Sequence, residues 1–467
     1  MVARTASRLI ERGLGGWSTM TGVDRTALGL FALALTLRLS YVLGLYATMG
    51  DAGLMIDDSR HYLSAAAALV GRGSPVEVGG EDLLSGQTQF MPGYIWFLAL
   101  HMLAFGSTAA ILAVLSQTLI DSLSCVLIAA LAERVRPGLG FAAGLFAAIN
   151  PTQIVLAGMI LTEALFLSAC TAALLAALAW FQTPRWRTAL IMAAAFGLGI
   201  FTRAMLLPWA VALPLLLAVG QWRRGRLTGA LIGQLGAVTA LAILVQAPVL
   251  VQNWRHYDVF ALTSQSGRFT LLWLAPWVRK ASDGTDYAQA REELAARFAA
   301  TASDIDQSNP FQVSRAMSAL ALSEIARLGP AAILKASAFG AAVNLFSPAL
   351  ILSPPIRLLP RTGFYATPGK TLVEKAGNFL FRNDNTVYGL VLLGAGLATI
   401  ALRLIQLGGA VRGLGDQRSR LPVLALLAWI GFILAVNGPV ASAKYRQPAE
   451  PAFAVLVALA LARRPRP

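Results

Sequence analysis

Long apolar runs govern what this chain can become. Stretches of about 18 or more apolar residues recur between Thr26 and Leu461, and 57% of the chain is hydrophobic. Inside lipid every backbone N–H and C=O needs an internal partner, so such runs are satisfied as helices. The reading is an all-α polytopic membrane protein of about 10–12 transmembrane helices, with negligible strand content.

Charge then orients the runs. The formal net charge is +15, from 38 basic and 23 acidic side chains. The arginines do not form the single stripe expected of a nucleic-acid binder. They sit in short clusters between apolar runs, as cytoplasmic loops do. Arg134 with Arg136, Arg185 with Arg187, Arg223 with Arg224 and Arg226, Arg403 through Arg420, and Arg463, Arg464 and Arg466 are assigned to the cytoplasm. Arg4, Arg8, Arg12 and Arg25 precede a run from Thr26 to Ala47 that is too long for a signal-peptide core. Both termini are therefore expected in the cytoplasm. Cys125 and Cys170 lie within apolar segments, which indicates neither a disulfide framework nor a metal knuckle.

Spans near 26–47, 108–131, 138–150, 153–181, 188–202, 204–220 and 228–250 alternate correctly between these clusters. Met91 to Phe105 would break the parity and is short, so it reads as an interfacial helix on the outer face. Ala331 to Leu352 would invert everything after it, and reads as a re-entrant or surface-lying helix interrupted at Ser347-Pro348. Three regions follow: a transmembrane module over 1–250 with a first outer loop at 48–107, an outer region of loops and interfacial helices over 251–385, and closing spans over 386–467.

Polar residues gather on the outer side. In "IDDSRHY", Asp57, Asp58 and Ser59 are good N-cap residues for a helix that follows. One cap suffices, however, and Asp58 and Tyr62, four apart, can face a common space. Tyr94, in "MPGYIWF", suits a headgroup-level anchor. Glu163 falls about three turns into an apolar run, where an acid needs either a salt-bridge partner or a function. Arg203 and Arg38 can snorkel, or can bind a lipid phosphate. Lys444 and Arg446 lie outside against the positive-inside trend, which favours an anionic partner.

In this order the pieces resemble the GT-C superfamily of membrane glycosyltransferases, nearest to glycosyltransferase family 39 with its protein O-mannosyltransferases and lipid A aminoarabinose transferases. Asp58 and Tyr62 match the D-x-x-x-Y element. Met91-Pro92-Gly93-Tyr94 matches P-P-G-Y with Met91 for the first proline. Thr162-Glu163-Ala164-Leu165-Phe166 matches T-E-x-L-F. Gly197-Leu198 with Thr202-Arg203 matches G-L-x-x-x-T-R, and Lys444-Tyr445-Arg446 with Pro448 and Pro451 matches R-Y-R-x-P-x-x-P.

The resemblance implies a bacterial inner-membrane enzyme that moves a sugar from a polyprenyl phosphate to a hydroxyl on a glycolipid, lipid A, a polysaccharide or a protein, on the periplasmic face and with inversion. Asp58 would be the base, with Asp57 and Glu163 positioning or tuning it. Arg203, Lys444, Arg446 and Arg38 would meet the donor phosphate. Tyr62, His61, Tyr94, Arg60 and Tyr445 would line the cavity. No cofactor is required, although Asp57 and His61, four apart, can share a divalent metal. A transporter or flippase, or a polymerase or ligase of lipid-linked sugars, is the alternative reading.

Overall fold

The apolar runs fold as helices. The computed structural model describes residues 20–56, 58–71, 88–301, 305–363, 367–369, 371–382 and 384–462, and these contain no strand. Six of its helical stretches are long and apolar enough to cross a membrane, and up to nine if each sharply bent pair is one span. The chain is a multi-pass membrane protein.

The first half contributes α1 (Met20–Met49), α2 (Ser59–Leu69), α3 (Pro92–Phe105), α4 (Ala109–Val135), α5 (Gly140–Ile149), α6 (Pro151–Ala157), α7 (Glu163–Gln182), α8 (Trp186–Thr202) and α9 (Leu207–Arg223). After it come α10 (Gly229–Leu244), α11 (Ala247–Tyr257), α12 (Ala275–Asp283), α13 (Tyr287–Thr301), α14 (Pro310–Leu328) and α15 (Pro330–Phe346). The chain closes with α16 (Leu372–Phe381), α17 (Thr386–Gly415), α18 (Arg420–Asn437) and α19 (Glu450–Leu461).

Hydrogen bonds define two ends of the bundle. At one, Arg134 bonds Gln182 (2.9 Å), Gln221 bonds the Phe181 carbonyl (2.9 Å), and Arg412 bonds the Ala460 carbonyl. The short basic loops all lie here, at the basic end. At the other, Ile160 N–H donates to the Leu54 carbonyl (2.9 Å) and Asn344 meets the Val440 carbonyl (3.2 Å). This is the site end.

α3 and α4 are a hairpin. Gly106 turns the chain with φ +59°, a conformation that favours glycine. Tyr94 then reaches Gln117 (2.9 Å) and His101 reaches Ser116 (2.9 Å), so α3 runs back along the site-end half of α4. At 14 residues, α3 is about 21 Å long, too short to span. Trp96, Leu100, Leu103 and Phe105 remain exposed along it.

Two expectations are corrected. The predicted span over 153–181 is broken: α5 and α6 form a pair bent by 53°, and a helix starts again only at Glu163. Arg403 does not belong to a cytoplasmic loop, because α17 continues to Gly415. It points inward instead, donating to the Leu345 carbonyl (3.0 Å) and lying 4.1 Å from the Phe453 ring. α15 meets α14 at 104° and ends at Phe346, with its last turn beside residues 438–442 at the site end. It does not reach the basic end.

One apolar core joins residues of α1, α4 and α7 to residues of α18 and α19. A second, around Tyr62, Tyr94 and Met159, lies at the site end. A third holds the helical lobe formed by α12–α15. In that lobe the buried Glu324 receives Arg297 (3.0 Å) and Arg327 (2.7 Å), with Arg279 at 3.8 Å.

Arg38 is also corrected. It is fully buried mid-helix and paired with Asp121 at 2.6 Å, so it is committed within the bundle and does not face a lipid phosphate. The reason lies at Asn150-Pro151. Pro151 has no N–H, so the Ala147 carbonyl loses its helical donor. The Thr152 N–H turns to Asn150 Oδ1 (2.9 Å), which releases the Ala148 carbonyl as well. Arg38 donates to both carbonyls, at 3.4 and 3.1 Å, and to Gln153 at 3.1 Å. It seals a helix break that would otherwise leave bare carbonyls inside the membrane. Arg38→Met should lower stability in detergent by about 3–5 kcal/mol, because Asp121 is left buried and unpaired. The double substitution Arg38→Met with Asp121→Leu should recover much of that loss. Equal thermal unfolding of wild type and the single variant would remove the pair from this role.

Candidate active site

The first outer loop and the α6–α7 loop are stitched together at the site end. After α1 a short turn over Gly50–Leu54 brings the chain to Ile56. The Ser59 hydroxyl accepts from the Ile56 N–H (2.9 Å) and donates to the Ile160 carbonyl (2.9 Å), while Ile160 N–H returns to Leu54. The expected side-chain cap by Asp58 is absent: Asp58 has helical φ and ψ and caps nothing with its side chain. Its Oδ2 instead lies 2.5 Å from Lys444 Nζ, on the turn over Ala443–Ala449. Asp57 lies outside the described residues, as do Arg72, Glu77, Glu81 and Asp82.

Glu163 owes its place to the break after α6. Gln117 of α4 holds that break open, donating to the carbonyls of Ala157 (2.9 Å) and Met159 (2.5 Å). Its side-chain oxygen accepts from the Tyr94 hydroxyl. Glu163 therefore begins α7 rather than lying three turns inside a span. It is 1% exposed and 3.2 Å from Arg203 Nη1. Arg203 closes α8 as its C-cap and is 20% exposed.

Gly93 permits this arrangement. A Cβ there would stand 2.6 Å from the Phe201 carbonyl oxygen, two residues before Arg203. The bare backbone lets α3 close against the end of α8.

Aromatic rings line the site. Tyr62 packs edge-on against Tyr94 (5.2 Å) and tilts against Phe90 (4.9 Å), and His61 lies 6.1 Å from Phe90. Arg60 is exposed. Tyr94 is fully buried, so it is a pillar beneath Tyr62 and not a headgroup anchor; the hairpin turns it inward to Gln117. The Thr88 carbonyl accepts from Ser264 N–H (2.8 Å), and the two hydroxyls meet at 2.9 Å, which ties this wall to the loop after α11. Lys444 Nζ lies 5.5 Å from the Tyr445 ring.

The charges are matched. Burial raises the Asp58 carboxyl, but Lys444, with Arg203 and His61, outweighs it and holds the group below the usual carboxylate range. Burial lowers the Lys444 ammonium, and Asp58, with Tyr445 and Glu163, more than restores it, leaving it above its ordinary value. The Tyr62 phenol is pushed well up, chiefly by burial.

Arg446 stands apart from the predicted phosphate set. Its guanidinium donates to Glu450 (3.1 Å), Thr152 (2.9 Å) and the carbonyls of Asn344 and Ser347. Glu450 also accepts from Asn150 (2.8 Å). Arg446 thus knots α6, α15 and the start of α19 together beneath Lys444, with a bond from each of its three nitrogens to the protein. Gln117, Asn344 and Glu450 went unremarked in the sequence, and Ser59 was read there only as an N-cap residue. Only Glu450, an acid opening an apolar run, carried a signal.

Four predicted residues therefore converge: Asp58, Glu163, Arg203 and Lys444, with Tyr62 and Tyr445 beside them. Two carboxylates and two cations can deprotonate a hydroxyl and receive an anionic leaving group. The expected Asp57–His61 metal pair lies outside the described residues through Asp57. Asp58 and Glu163 each face a cation, and no group of three or more His, Cys, Asp or Glu among the described residues could hold a metal ion.

No family model and no curated protein matches the chain. Among solved structures it is similar to an oligosaccharyltransferase from Archaeoglobus fulgidus in complex with Zn and sulfate, at 14% identity and a TM-score of 0.49, covering 93% of this chain and 48% of that one. The chain thus spans about half the length of that enzyme. It is similar to ArnT from Cupriavidus metallidurans in the apo state at 17% identity, and bound to undecaprenyl phosphate at 15% identity. Both ArnT comparisons have a TM-score of 0.36 and cover 93% of this chain and 76% of the other.

The packing of Gly93 is directly testable. Gly93→Ala should lower stability in detergent by about 1–3 kcal/mol through overpacking. Gly29→Ala, where a Cβ meets nothing within 4 Å, should be neutral or stabilising. Equal melting temperatures for the two variants would refute the close approach.

Proposed function

We propose that the chain is a GT-C-type glycosyltransferase that moves a sugar from a polyprenyl-phosphate donor to a hydroxyl acceptor, with inversion. The observation that carries this reading is the meeting of Asp58, Glu163, Arg203 and Lys444 at one end of a membrane bundle. All four stand where the ordered motifs of that superfamily fall in this sequence. The basic loops lie at the opposite end, so the positive-inside trend supports an outer, periplasmic site in a bacterial inner membrane. The first module, 1–250, would supply Asp58, Glu163 and Arg203. The region over 251–385 would roof the site, and the closing spans, 386–467, would bring in Lys444.

In this reading Asp58 accepts the proton of the acceptor hydroxyl as that oxygen bonds to the anomeric carbon. The bond from that carbon to the phosphate oxygen breaks on the opposite face, and the phosphate leaves with the electron pair. No acid is needed to protonate it. Lys444 and Arg203 neutralise the charge that develops on it. Glu163 is a positioning residue that fixes the Arg203 fork through a buried ion pair. Tyr62 and Tyr445 supply flat, partly polar walls for a sugar ring. The acceptor class stays open among glycolipid, lipid A, polysaccharide and protein.

Asp58→Asn should reduce transfer from a polyprenyl-phosphate sugar in membranes by about 10²–10⁴-fold at unchanged expression. Undiminished transfer would remove Asp58 as the base. The pH profile is a second test. The Asp58 carboxyl is held down in the free protein, so it stays ionised above the ordinary aspartate value and loses its charge only as pH falls through its lowered pKa. The donor is a phosphodiester and does not titrate in this range. kcat/KM for the donor should therefore stay level down to about pH 4. An acid limb near pH 6–7 would remove Asp58, whose carboxyl is held low, as the base.

A further inference from the structure

Asp58 and Lys444 lie 386 residues apart in the chain, yet their side chains stand 2.5 Å apart. Each has been given a task that this contact obstructs. A carboxylate that already accepts from an ammonium is a poor base, because proton uptake must break the ion pair. An ammonium already neutralised by a carboxylate is a poorer ligand for phosphate. Arg203 and Glu163 also pair, but differently: both sit at helix ends, and Glu163 is almost fully buried. The pair at Lys444 is the more adjustable one. Lysine carries its charge on a flexible four-carbon stem, and Asp58 is 39% exposed.

We propose that the Asp58–Lys444 ion pair is a latch opened by the donor itself: the lipid phosphate takes Lys444, and only then is Asp58 free to receive the acceptor's proton. The inference rests on the proposed function and adds an order of events to it. The four charged side chains sum to zero. A seated phosphodiester adds one negative charge beside Asp58 while withdrawing its cation, and both effects raise the proton affinity of the carboxylate. The base gains strength when the bond to be broken is in place. Donor therefore binds before acceptor is activated, and Lys444 serves the carboxylate at rest and the leaving group in the reaction.

The test is equilibrium binding of sugar-free undecaprenyl phosphate to the full-length protein in nanodiscs, with no turnover involved. Wild type, Asp58→Asn, Lys444→Met and the double variant are compared, after each is shown to be monodisperse. Asp58→Asn should tighten binding about tenfold, because Lys444 no longer has to be pulled from a carboxylate. Lys444→Met should weaken binding about tenfold. In the Lys444→Met background Asp58→Asn should then tighten binding far less, because only the direct repulsion between carboxylate and phosphate remains to be relieved. If Asp58→Asn tightens binding equally in both backgrounds, Asp58 acts by simple repulsion of the phosphate and the latch is overturned. If Asp58→Asn leaves binding unchanged in the wild-type background, the pair is static, and the latch falls while the glycosyltransferase reading stands. If wild type binds no undecaprenyl phosphate at all, the donor assignment fails and takes the latch with it. Should Asp58→Asn not assemble, Asp58→Ala removes the same carboxylate and is read in the same way.

Discussion

A charge taken out of water inside a helical bundle must find an opposite charge or a set of hydrogen bonds, since its desolvation otherwise costs several kcal/mol. That constraint orders this molecule more than any helix does. Arg38 meets Asp121 where α5 breaks, and Arg446 meets Glu450 where α6, α15 and α19 converge. Arg203 meets Glu163 where α7 and α8 approach each other. Arg38 with Asp121 and Arg203 with Glu163 join different helices, whereas Arg446 and Glu450 lie one turn apart in the chain and tie in α6 and α15 through their other hydrogen bonds. The pairs grow less buried toward the site end. Arg38 and Asp121 are sealed, whereas Asp58, paired with Lys444, is the most open carboxylate among these pairs. The inner pairs hold structure, and the outer ones carry the proposed chemistry.

The same chemistry explains why arginines that looked alike in the sequence separate in space. Arg38, Arg203, Arg403 and Arg446 are all basic residues within or beside apolar runs. What distinguishes them is which carbonyls and carboxylates lack a partner nearby. Pro151 leaves two carbonyls bare, and Arg38 takes them. The turn after α15 presents Asn344 and Ser347, and Arg446 takes those. Such debts are created by three-dimensional packing.

Much of the site was nonetheless legible. The acidic stretch after the first span, the glutamate after Thr162 and the cations near residues 203 and 444 were all visible as departures from an apolar background, and the order of the motifs tied them together. The failures have physical causes. The break ahead of Glu163 was hidden because "GMILT" is as apolar as the helices beside it, and the groups that hold it open, Gln117, Ser59 and the Leu54 carbonyl, lie far earlier in the chain. Tyr94 looked like a surface anchor because nothing local shows that Gly106 folds α3 back on α4. Asp58 looked like a helix cap because its true partner is near the other end of the chain. Helix existence follows from local periodicity, but partner choice does not.

The break between α6 and α7 has a consequence for how such a protein can change over time. In an unbroken helix one inserted or deleted residue upstream would swing Glu163 by about 100° and carry its carboxylate away from Arg203. Here five residues of irregular chain, 158–162, separate the two helices. A shift of register arising in α5 or α6 can be absorbed before it reaches the carboxylate. The membrane-crossing part is thus free to drift in length and thickness while the aim of the acid is conserved.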